Sequence, residues 1–272
     1  MTDDIRDIAD YYNNRPQSEH NRLEEHQLEF DLTWRLLEEY LPPKGSILEI
    51  GAATGRYTLG LVERGYAVTA VDLSAACLEE CQKNLTKAGL QEKAQFILAD
   101  ARNLNGVTQM DFDAVLLMGP LYHLVVEKDR EMAVREAFIR LRPGGVIFSA
   151  FISRYGIWGD LLKNLPELID DQDQVNSVLL KGRDCEAWPK GGFRAYFAEV
   201  AEIAPLHEAV GFETIKVFGV EPSISADDES YNKLEGERRA RFLAVLYQIS
   251  AEPSIVGASR HLLYIGRKKQ VG

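Results

Sequence analysis

Short apolar runs alternate with amphipathic stretches through the middle of the chain, and this alternation limits the possible folds more than any other feature. The apolar runs cover residues 46–50, 67–71, 94–99, 112–118 and 146–152. The helical patterns between them cover residues 56–64, 75–87 and 128–141. Strands that alternate with helices in this way predict βαβ units, in which helices cover both faces of a parallel sheet.

The alternation stops after residue 152 and returns near residue 200. Residues 153–200 have mixed character, with prolines, acidic pairs and glycines, and they predict an inserted helical lobe. Beyond the insert, the patterns predict elements at residues 200–210 (helix), 212–220 (strand), 228–250 (helix) and 261–267 (strand). The expected fold is therefore an α/β, Rossmann-like sheet of seven strands with a helical insert between strands five and six.

Composition argues against several classes of function. The 272 residues carry 31 Lys and Arg against 42 Asp and Glu, a formal net charge of −11. A strongly acidic protein is poorly suited to bind nucleic acid or an anionic membrane, because both attract basic residues. The acidic N-terminus has no apolar signal-peptide core, and no apolar stretch approaches the roughly 20 residues of a membrane span. We therefore expect a cytoplasmic protein with neither nucleic acid nor membrane as partner, present as a monomer or homodimer.

A glycine turn follows the first predicted strand. Glu49 precedes Gly51 and Gly55, in a G-x-x-x-G spacing. Glycine lets a ligand approach the backbone closely, because no Cβ intrudes. The spacing lacks the second glycine of the dinucleotide fingerprint and the Lys-Ser/Thr of the phosphate loop. The Glu49 carboxylate would also suit an amino group better than a phosphate.

Two further acids follow the next two predicted strands. Asp72 ends the second strand, and Asp100 follows the third. Open α/β sheets bind ligands at the carboxyl ends of their strands, where an acid can accept both hydroxyls of a ribose. Each acid could also simply cap a turn or a helix. Three acids at three successive strand ends beside a glycine turn favour a ligand site.

These motifs, with Leu141-Arg142-Pro143-Gly144-Gly145, resemble those of class I S-adenosylmethionine-dependent methyltransferases. The resemblance implies an antiparallel last strand and S-adenosyl-L-methionine as cofactor, released as S-adenosyl-L-homocysteine. It places Glu49, Gly51 and Gly55 at the methionine part, Asp72 at the ribose, and Asp100 with Ala101 at the adenine. The cofactor-binding set it implies comprises Tyr11, Tyr12, Arg22, Glu49, Gly51, Ala52, Gly55, Asp72, Leu73, Asp100, Ala101, Met118 and Gly119.

The segment after strand four, Gly119-Pro120-Leu121-Tyr122-His123-Leu124, departs from the [DN]-P-P-[YF] pattern of methyltransferases that act on DNA bases or glutamine. It resembles a bacterial subgroup of small-molecule type. His123 is the first candidate for a general base, because histidine titrates near neutrality. A purely structural His123 is the alternative. Tyr122 is a candidate for catalysis or substrate binding, or it could cover the adenine.

The expected domains are an N-terminal helical lid (1–43), the cofactor-binding core (44–152), an inserted helical substrate cap (153–200) and the rest of the sheet (201–272). Tyr11 and Tyr12 in the lid could contact the sulfonium by cation–π attraction. Tyr196 in the cap and His261 in the last strand are substrate-binding candidates, although each could instead belong to the core. The cap aromatics Trp158, Trp188, Phe193 and Phe197 could form a pocket wall.

Methyl transfer from a sulfonium is a direct displacement and demands no metal. The five histidines also show no metal-ligand spacing, so we expect no metal. The favoured function is methylation of O or N of a small molecule. A protein or RNA methyltransferase remains an alternative, as does a non-catalytic S-adenosylmethionine-binding protein.

Overall fold

One twisted sheet runs through the molecule. A computed structural model describes residues 3–16, 21, 25–185, 194–222 and 228–270. Within these residues the strands are β1 (Ser46–Ile50), β2 (Ala67–Asp72), β3 (Ala94–Leu98), β4 (Phe112–Leu117), β5 (Leu141–Ser153), β6 (Phe197–Ala198), β7 (Phe212–Gly219) and β8 (His261–Lys268). The order is β3-β2-β1-β4-β5-β8-β7, and β6 pairs with β5 outside this path. Strand β8 is antiparallel to both of its neighbours, whereas the other pairings are parallel.

The expected Rossmann-like architecture with an antiparallel last strand is confirmed, but the count of seven strands is wrong. The described residues form eight strands, and β6 is the additional one. It has only two residues, which pair with Ile152 and Ser153. A two-residue strand is too short to show an alternating apolar pattern, so the sequence gives no signal for it.

Helices cover the sheet on both faces. They are α1 (Arg6–Asn13), α2 (Gln27–Tyr40), α3 (Arg56–Glu63), α4 (Ala75–Lys87), α5 (Glu127–Arg140), α6 (Trp158–Asn164), α7 (Gln172–Lys181), α8 (Val200–Glu208), α9 (Asp228–Asn232), α10 (Gly236–Ile249) and α11 (Pro253–Ala258). Successive residues of β4 face opposite sides, because side chains alternate along a strand. Val115 packs in a cluster with Ala133 of α5, whereas Leu116 packs in a cluster with Leu61 of α3.

The C-terminal helices differ from the sequence prediction. Residues 228–250 form two helices, α9 and α10, rather than one, and α11 was not expected. The predicted insert contains α6, α7 and the short β6, and it lies between β5 and β7, the strand that the sequence predicted as the sixth. Trp188 and Phe193 of the predicted cap and Arg22 of the cofactor-binding set lie outside the described residues. None of the helices in the part of the chain that the structure describes has the length and apolar character of a membrane span.

Candidate functional site

The carboxyl ends of the first four strands surround a cavity. Most of its wall comes from the turns after β1, β2, β3 and β4, and α1 closes one side. The lining residues are Ile5, Ile8, Tyr12, Ile50, Gly51, Ala53, Val71, Asp72, Leu73, Ala99, Asp100, Ala101, Met118, Gly119, Pro120, Tyr122, His123 and Leu124. We call this space the first cavity. It brings together ten of the residues that the sequence predicted: Tyr12, Gly51, Asp72, Leu73, Asp100, Ala101, Met118, Gly119, Tyr122 and His123.

Gly51 holds the turn after β1 close to the segment after β4. Its φ of +86° lies in the left-handed region, and its backbone N–H donates to the carbonyl of Val71 at 2.8 Å. A Cβ at this position would lie 2.5 Å from the carbonyl oxygen of Met118 and 2.8 Å from Cδ of Pro120. Glycine is therefore required both by the backbone angle and by the close contact with the segment after β4.

Asp72 is fixed by backbone donors at the end of β2. Its Oδ2 accepts from the N–H of Ala53 at 2.8 Å, and its Oδ1 accepts from the N–H of Ser74 at 2.8 Å. Ala53 itself has a positive φ of +46°, so the turn donates to the carboxylate in an uncommon conformation. Asp72 also borders the first cavity.

Asp100 borders the same cavity, and an arginine neutralises it. The Arg102 guanidinium lies 2.7 Å from Asp100 and 2.6 Å from the fully buried Asp129. Arg102 also donates to the backbone carbonyl of Asp3 at 2.8 Å. This chain of contacts joins the turn after β3 to the residues just before α1, so the cavity wall and its N-terminal cover are connected.

Helix α1 is fastened to the core at its C-terminal end. The hydroxyl of Tyr12 lies 2.7 Å from Nε2 of His123. The amide oxygen of Asn13 accepts from Oγ of Ser74 at 2.8 Å. Ile8 is buried in the core cluster of this face of the sheet. The helix therefore covers the first cavity with both apolar packing and hydrogen bonds.

Both ring nitrogens of His123 have partners. Nδ1 lies 2.8 Å from the carbonyl oxygen of Arg194. Because a carbonyl can only accept, Nδ1 carries a proton, and Nε2 of the neutral ring accepts from the Tyr12 hydroxyl. For His123 to act as a base, Tyr12 must first leave Nε2.

A second cavity adjoins the first. It is lined by Glu29, Thr33, Glu49, Gly51, Ala52, Ala53, Thr54, Arg56, Tyr57, Met118, Tyr122, Ala150, Val220, His261, Leu262 and Leu263. Gly51, Ala53, Met118 and Tyr122 border both cavities. A ligand in the first cavity and a ligand in the second could therefore meet at these four residues.

Glu49 borders the second cavity and is almost fully buried. Its Oε2 accepts from the Thr58 hydroxyl at 2.6 Å. Burial raises the pKa of Glu49 to about 8, and the nearby Asp72 acts in the same direction, while the hydrogen bond from Thr58 opposes them. A carboxyl group in this state carries a proton near neutrality and would ionise beside a cation.

His261 belongs to a charged cluster at the far wall of the second cavity. Its Nδ1 contacts a carboxylate oxygen of the buried Glu221, which also contacts the Arg260 guanidinium. Burial alone would raise the pKa of Glu221, but His261 and Arg260 reverse this effect and hold it below its usual range. Glu29 lies 3.6 Å from the same His261 nitrogen. Glu221 is thus an anion between two basic side chains.

Two groups of described residues could in principle supply three ligands to a metal: His26, Glu221 and Asp228, and Glu29, Glu221 and His261. Both groups share Glu221. The Arg260 guanidinium already lies against Glu221 and donates its Nε–H to that carboxylate at 2.7 Å. Arg260 therefore neutralises the carboxylate that both groups would need, and we assign no metal to them.

Several predicted site residues lie away from both cavities. Gly55, with φ +85°, instead allows α3 to pack on α4, because a Cβ there would lie 2.3 Å from Sγ of Cys81. The Tyr196 hydroxyl donates to Glu202 at 2.6 Å, and its ring lies under the Arg130 guanidinium. The Tyr11 ring packs edge-on against Tyr12 and under Arg15. Of the remaining predictions, Glu49, Ala52 and His261 border the second cavity.

Other lining residues were missed by the sequence analysis. Ile5 and Ile8 come from α1 and the residue before it, and Glu29 and Thr33 come from α2. No strand-end signal marks these positions.

The sequence analysis also missed Glu221, which follows β7 and contacts His261. Strand β7 runs in the same direction as β5, because β8 is antiparallel to both, so the rule used for Asp72 and Asp100 would also have identified Glu221 near the carboxyl end of β7.

Comparison with known proteins agrees with this geometry. Residues 47–145 match the family model described as a methyltransferase domain. The chain contains a class I methyltransferase domain. The match covers β1 to the start of β5, which includes the turns that form most of the first cavity. Members of this family use S-adenosylmethionine.

The chain is also similar to curated relatives over part of its length. The chain is 28% identical over 125 residues to tRNA 5-carboxymethoxyuridine methyltransferase from Escherichia coli strain K12, which is 45% of this chain and 46% of that protein. It is 32% identical over 123 residues to glycine/sarcosine N-methyltransferase from Parasynechococcus marenigrum strain WH8102, which is 44% of this chain and 42% of that protein. The chain thus spans less than half the length of these relatives.

A solved structure extends the likeness beyond the methyltransferase domain. An S-adenosylmethionine-dependent methyltransferase from Methanosarcina mazei superposes with a TM-score of 0.59. The superposition covers 87% of this chain and 98% of the other, at 19% identity. At this identity, the likeness shows a shared fold for most of the chain.

Proposed function

We propose that this protein is an S-adenosylmethionine-dependent methyltransferase that transfers the methyl group to O or N of a small molecule. The observation that carries the proposal is the pair of adjoining cavities, which share Gly51, Ala53, Met118 and Tyr122. Direct displacement needs a donor and an acceptor in line and shielded from water. Two cavities that meet at a short wall provide this arrangement.

The first cavity suits the cofactor. Asp72 would accept from the ribose hydroxyls, and Asp100 with Ala101 would lie at the adenine. Apolar lining by Ile8, Val71 and Leu73 suits a planar base. Glu49, which borders the second cavity beside the shared residue Gly51, would lie near the amino group of the methionine part and ionise beside that cation. When bound, S-adenosylmethionine supplies an electrophilic methyl group on sulfur, and the residues of the chain orient it and exclude water.

Helix α1 acts as a lid in this proposal, and α6 and α7 support a substrate cap. Helix α1 covers the first cavity through Ile8 and Tyr12. Trp158 and Leu161 of α6 pack on the same small cluster as Tyr122, which borders both cavities. Movement of α1 or of the cap helices would therefore shift side chains at the wall where donor and acceptor meet.

The second cavity favours a small acceptor over RNA. The Glu29 carboxylate lines it, and the buried Glu221 carboxylate lies behind His261. Carboxylates repel a phosphate backbone, and the net charge of −11 gives no long-range attraction to RNA. A tRNA acceptor is the second candidate, favoured by the 28% identity to the tRNA methyltransferase from Escherichia coli.

The test combines cofactor binding with acceptor choice. Calorimetric titration with S-adenosylhomocysteine is expected to give one site per chain. Methyl-labelled S-adenosylmethionine is then incubated with the protein and either bulk tRNA or a panel of small hydroxyl and amine compounds. Label in small molecules and none in tRNA is the expected result. Label in tRNA alone would replace the proposed acceptor class, and failure to bind S-adenosylhomocysteine would overturn the proposal.

A further inference from the structure

We propose that His261, held by Glu221, removes the proton from the methyl acceptor, so that the second cavity takes an acceptor with an O–H or N–H group. This inference rests on the proposed function and adds the proton acceptor to it. His261 is the catalytic residue in this account, and Glu221 is a positioning residue that acts through it.

The contacts of the His261 ring suit this role. Nδ1 contacts the Glu221 carboxylate, which is a hydrogen-bond acceptor, so Nδ1 carries a proton. In the neutral ring Nε2 then has a lone pair. Within the described residues, Nδ1 is the only atom of this ring with a hydrogen bond. The ring borders the second cavity, and its side chain keeps 13% of its surface exposed.

The carboxylate that holds His261 is itself fixed. Glu221 is buried, and its backbone N–H donates to Oγ of Ser259 at 2.9 Å. Arg260 donates to Glu221 through Nε at 2.7 Å and to Asp160 at 2.6 Å. A buried, fixed carboxylate selects the ring tautomer and stabilises the imidazolium that forms on proton transfer, as in other carboxylate–histidine pairs.

His123 is less well placed for the same step. Its Nδ1 faces the Arg194 carbonyl, and its Nε2 faces the Tyr12 hydroxyl. It also borders the first cavity and not the second. A base must reach the proton of the acceptor, and the second cavity is where the acceptor would lie. From these positions, we infer that His123 fastens α1 to the core and that His261 removes the proton.

The chemical step balances with these groups alone. A lone pair on the acceptor oxygen or nitrogen forms a bond to the methyl carbon, and the carbon–sulfur bond of the cofactor breaks. The electron pair of that bond stays on sulfur, which becomes the neutral thioether of S-adenosylhomocysteine. The acceptor proton moves to Nε2 of His261, and the resulting imidazolium lies beside the Glu221 carboxylate.

This arrangement also selects the class of acceptor. Carboxylates and thiolates are already ionised and do not need a base. A neutral hydroxyl or ring N–H does need its proton removed. The acceptor is therefore an uncharged O–H or N–H compound.

The test starts with wild-type protein and methyl-labelled S-adenosylmethionine. The probes are phenols, N–H heteroaromatics, carboxylates and thiols, and the phenol or heteroaromatic that takes label fastest is used for the variants. His261→Ala is expected to lower kcat by about 10²–10⁴-fold, the usual contribution of a positioned base. The affinity for S-adenosylhomocysteine should not change. Added imidazole should restore part of the kcat of His261→Ala, because it can enter the vacated space and accept the proton.

Further variants separate catalysis from folding. His261→Gln keeps a polar side chain but cannot accept the proton, and its kcat should fall as far as that of His261→Ala. His26→Ala is the matched control, because His26 contacts Asp228 and Arg260 in the same charged cluster but borders neither cavity. Imidazole should not increase its kcat. A second pair of variants tests the positioning role of Glu221. Glu221→Asp keeps the carboxylate and should retain more kcat than Glu221→Gln, while KM should be equal in the two variants.

The outcomes distinguish this inference from the proposed function. If wild-type protein binds S-adenosylhomocysteine and transfers methyl groups, but His261→Ala retains its kcat, the base assignment is wrong and the proposed function stands. Transfer confined to carboxylates or thiols would also overturn the base assignment. If the wild-type protein does not bind S-adenosylhomocysteine, the proposed function itself fails.

Discussion

The hydroxyl of Tyr12 in α1 lies 2.7 Å from Nε2 of His123, which follows the strand β4. This hydrogen bond joins the N-terminal helix to the segment that separates the two cavities. Because both side chains border the first cavity, the bond also closes the cavity on the side of α1. A cofactor that enters from this side must separate the two residues.

Removal of this bond should speed cofactor exchange. Tyr12→Phe keeps the ring and loses a hydrogen bond that contributes about 0.5–1.5 kcal/mol, so the barrier to opening should fall by roughly that amount, or about two- to tenfold in rate. Association and dissociation of S-adenosylhomocysteine should both become faster, as stopped-flow fluorescence can measure. Tyr11→Phe is the control, because Tyr11 borders neither cavity. Equal effects of the two variants would contradict the lid role of Tyr12.

Asp72→Ala should lower the affinity for S-adenosylmethionine by about tenfold or more, since a hydrogen bond to a charged group contributes roughly 1.5–3 kcal/mol. Asp72 also accepts from two backbone donors, so some loss of stability is expected as well. Asp113→Ala is a matched control. Asp113 accepts from the N–H of Ser46 at 2.9 Å and pairs with Arg142, away from both cavities.

Calorimetry and thermal melting on both aspartate variants separate the two effects. Asp113→Ala should lower Tm without a change in cofactor affinity. If Asp72→Ala binds the cofactor as tightly as wild type, the ribose assignment fails.

Gly51→Ala should abolish cofactor binding, because the new Cβ would lie 2.5 Å from the Met118 carbonyl oxygen at the wall between the cavities. Gly65→Ala is the control for backbone strain. Gly65 has a similar φ of +91°, and no atom of the residues that the structure describes lies within 4 Å of its Cβ position. Both variants should lose about 1–2 kcal/mol of stability from the left-handed backbone. Retained cofactor affinity in folded Gly51→Ala would show that this close contact does not shape the cavity.

Glu49 should make stability depend on pH. Burial raises its pKa from 4.5 to about 8 in the folded protein. Between these values the folded state keeps a proton that the unfolded chain has released. The stability from protonated Glu49 is therefore fully present below the unfolded pKa and is lost as the pH rises towards 8.

Urea unfolding at about pH 5 and about pH 8 can measure this effect. Glu49→Gln should gain stability relative to wild type as the pH rises, because glutamine does not titrate. The exposed Glu213, replaced by glutamine, provides the control and should show no such trend. A constant difference between wild type and Glu49→Gln across this range would contradict a raised pKa of Glu49.

The part of the site that lies close to one turn or one strand end could be predicted from the sequence. Gly51, Asp72 and Asp100 each follow a strand of the parallel sheet, and an acid or glycine at such a position is visible in the chain itself. The fold was predictable for the same reason, because buried strands and amphipathic helices have distinct apolar patterns.

The remaining parts depend on contacts between distant segments. Glu221 and His261 are 40 positions apart, and their contact arises from the arrangement of β7 beside β8. Tyr196 was predicted to bind substrate, but its ring packs under Arg130 and its hydroxyl bonds to Glu202. No local pattern distinguishes an aromatic residue at a cavity wall from one that packs on a buried arginine.

The most direct test of the account is a crystal structure of the protein with bound S-adenosylhomocysteine. We predict the ligand in the first cavity, with its ribose hydroxyls within hydrogen-bond distance of Asp72. Its sulfur should lie beside Met118 and Tyr122, directed towards the second cavity. A ligand bound elsewhere, or with its sulfur directed away from the second cavity, would contradict the central claim that the two cavities hold donor and acceptor.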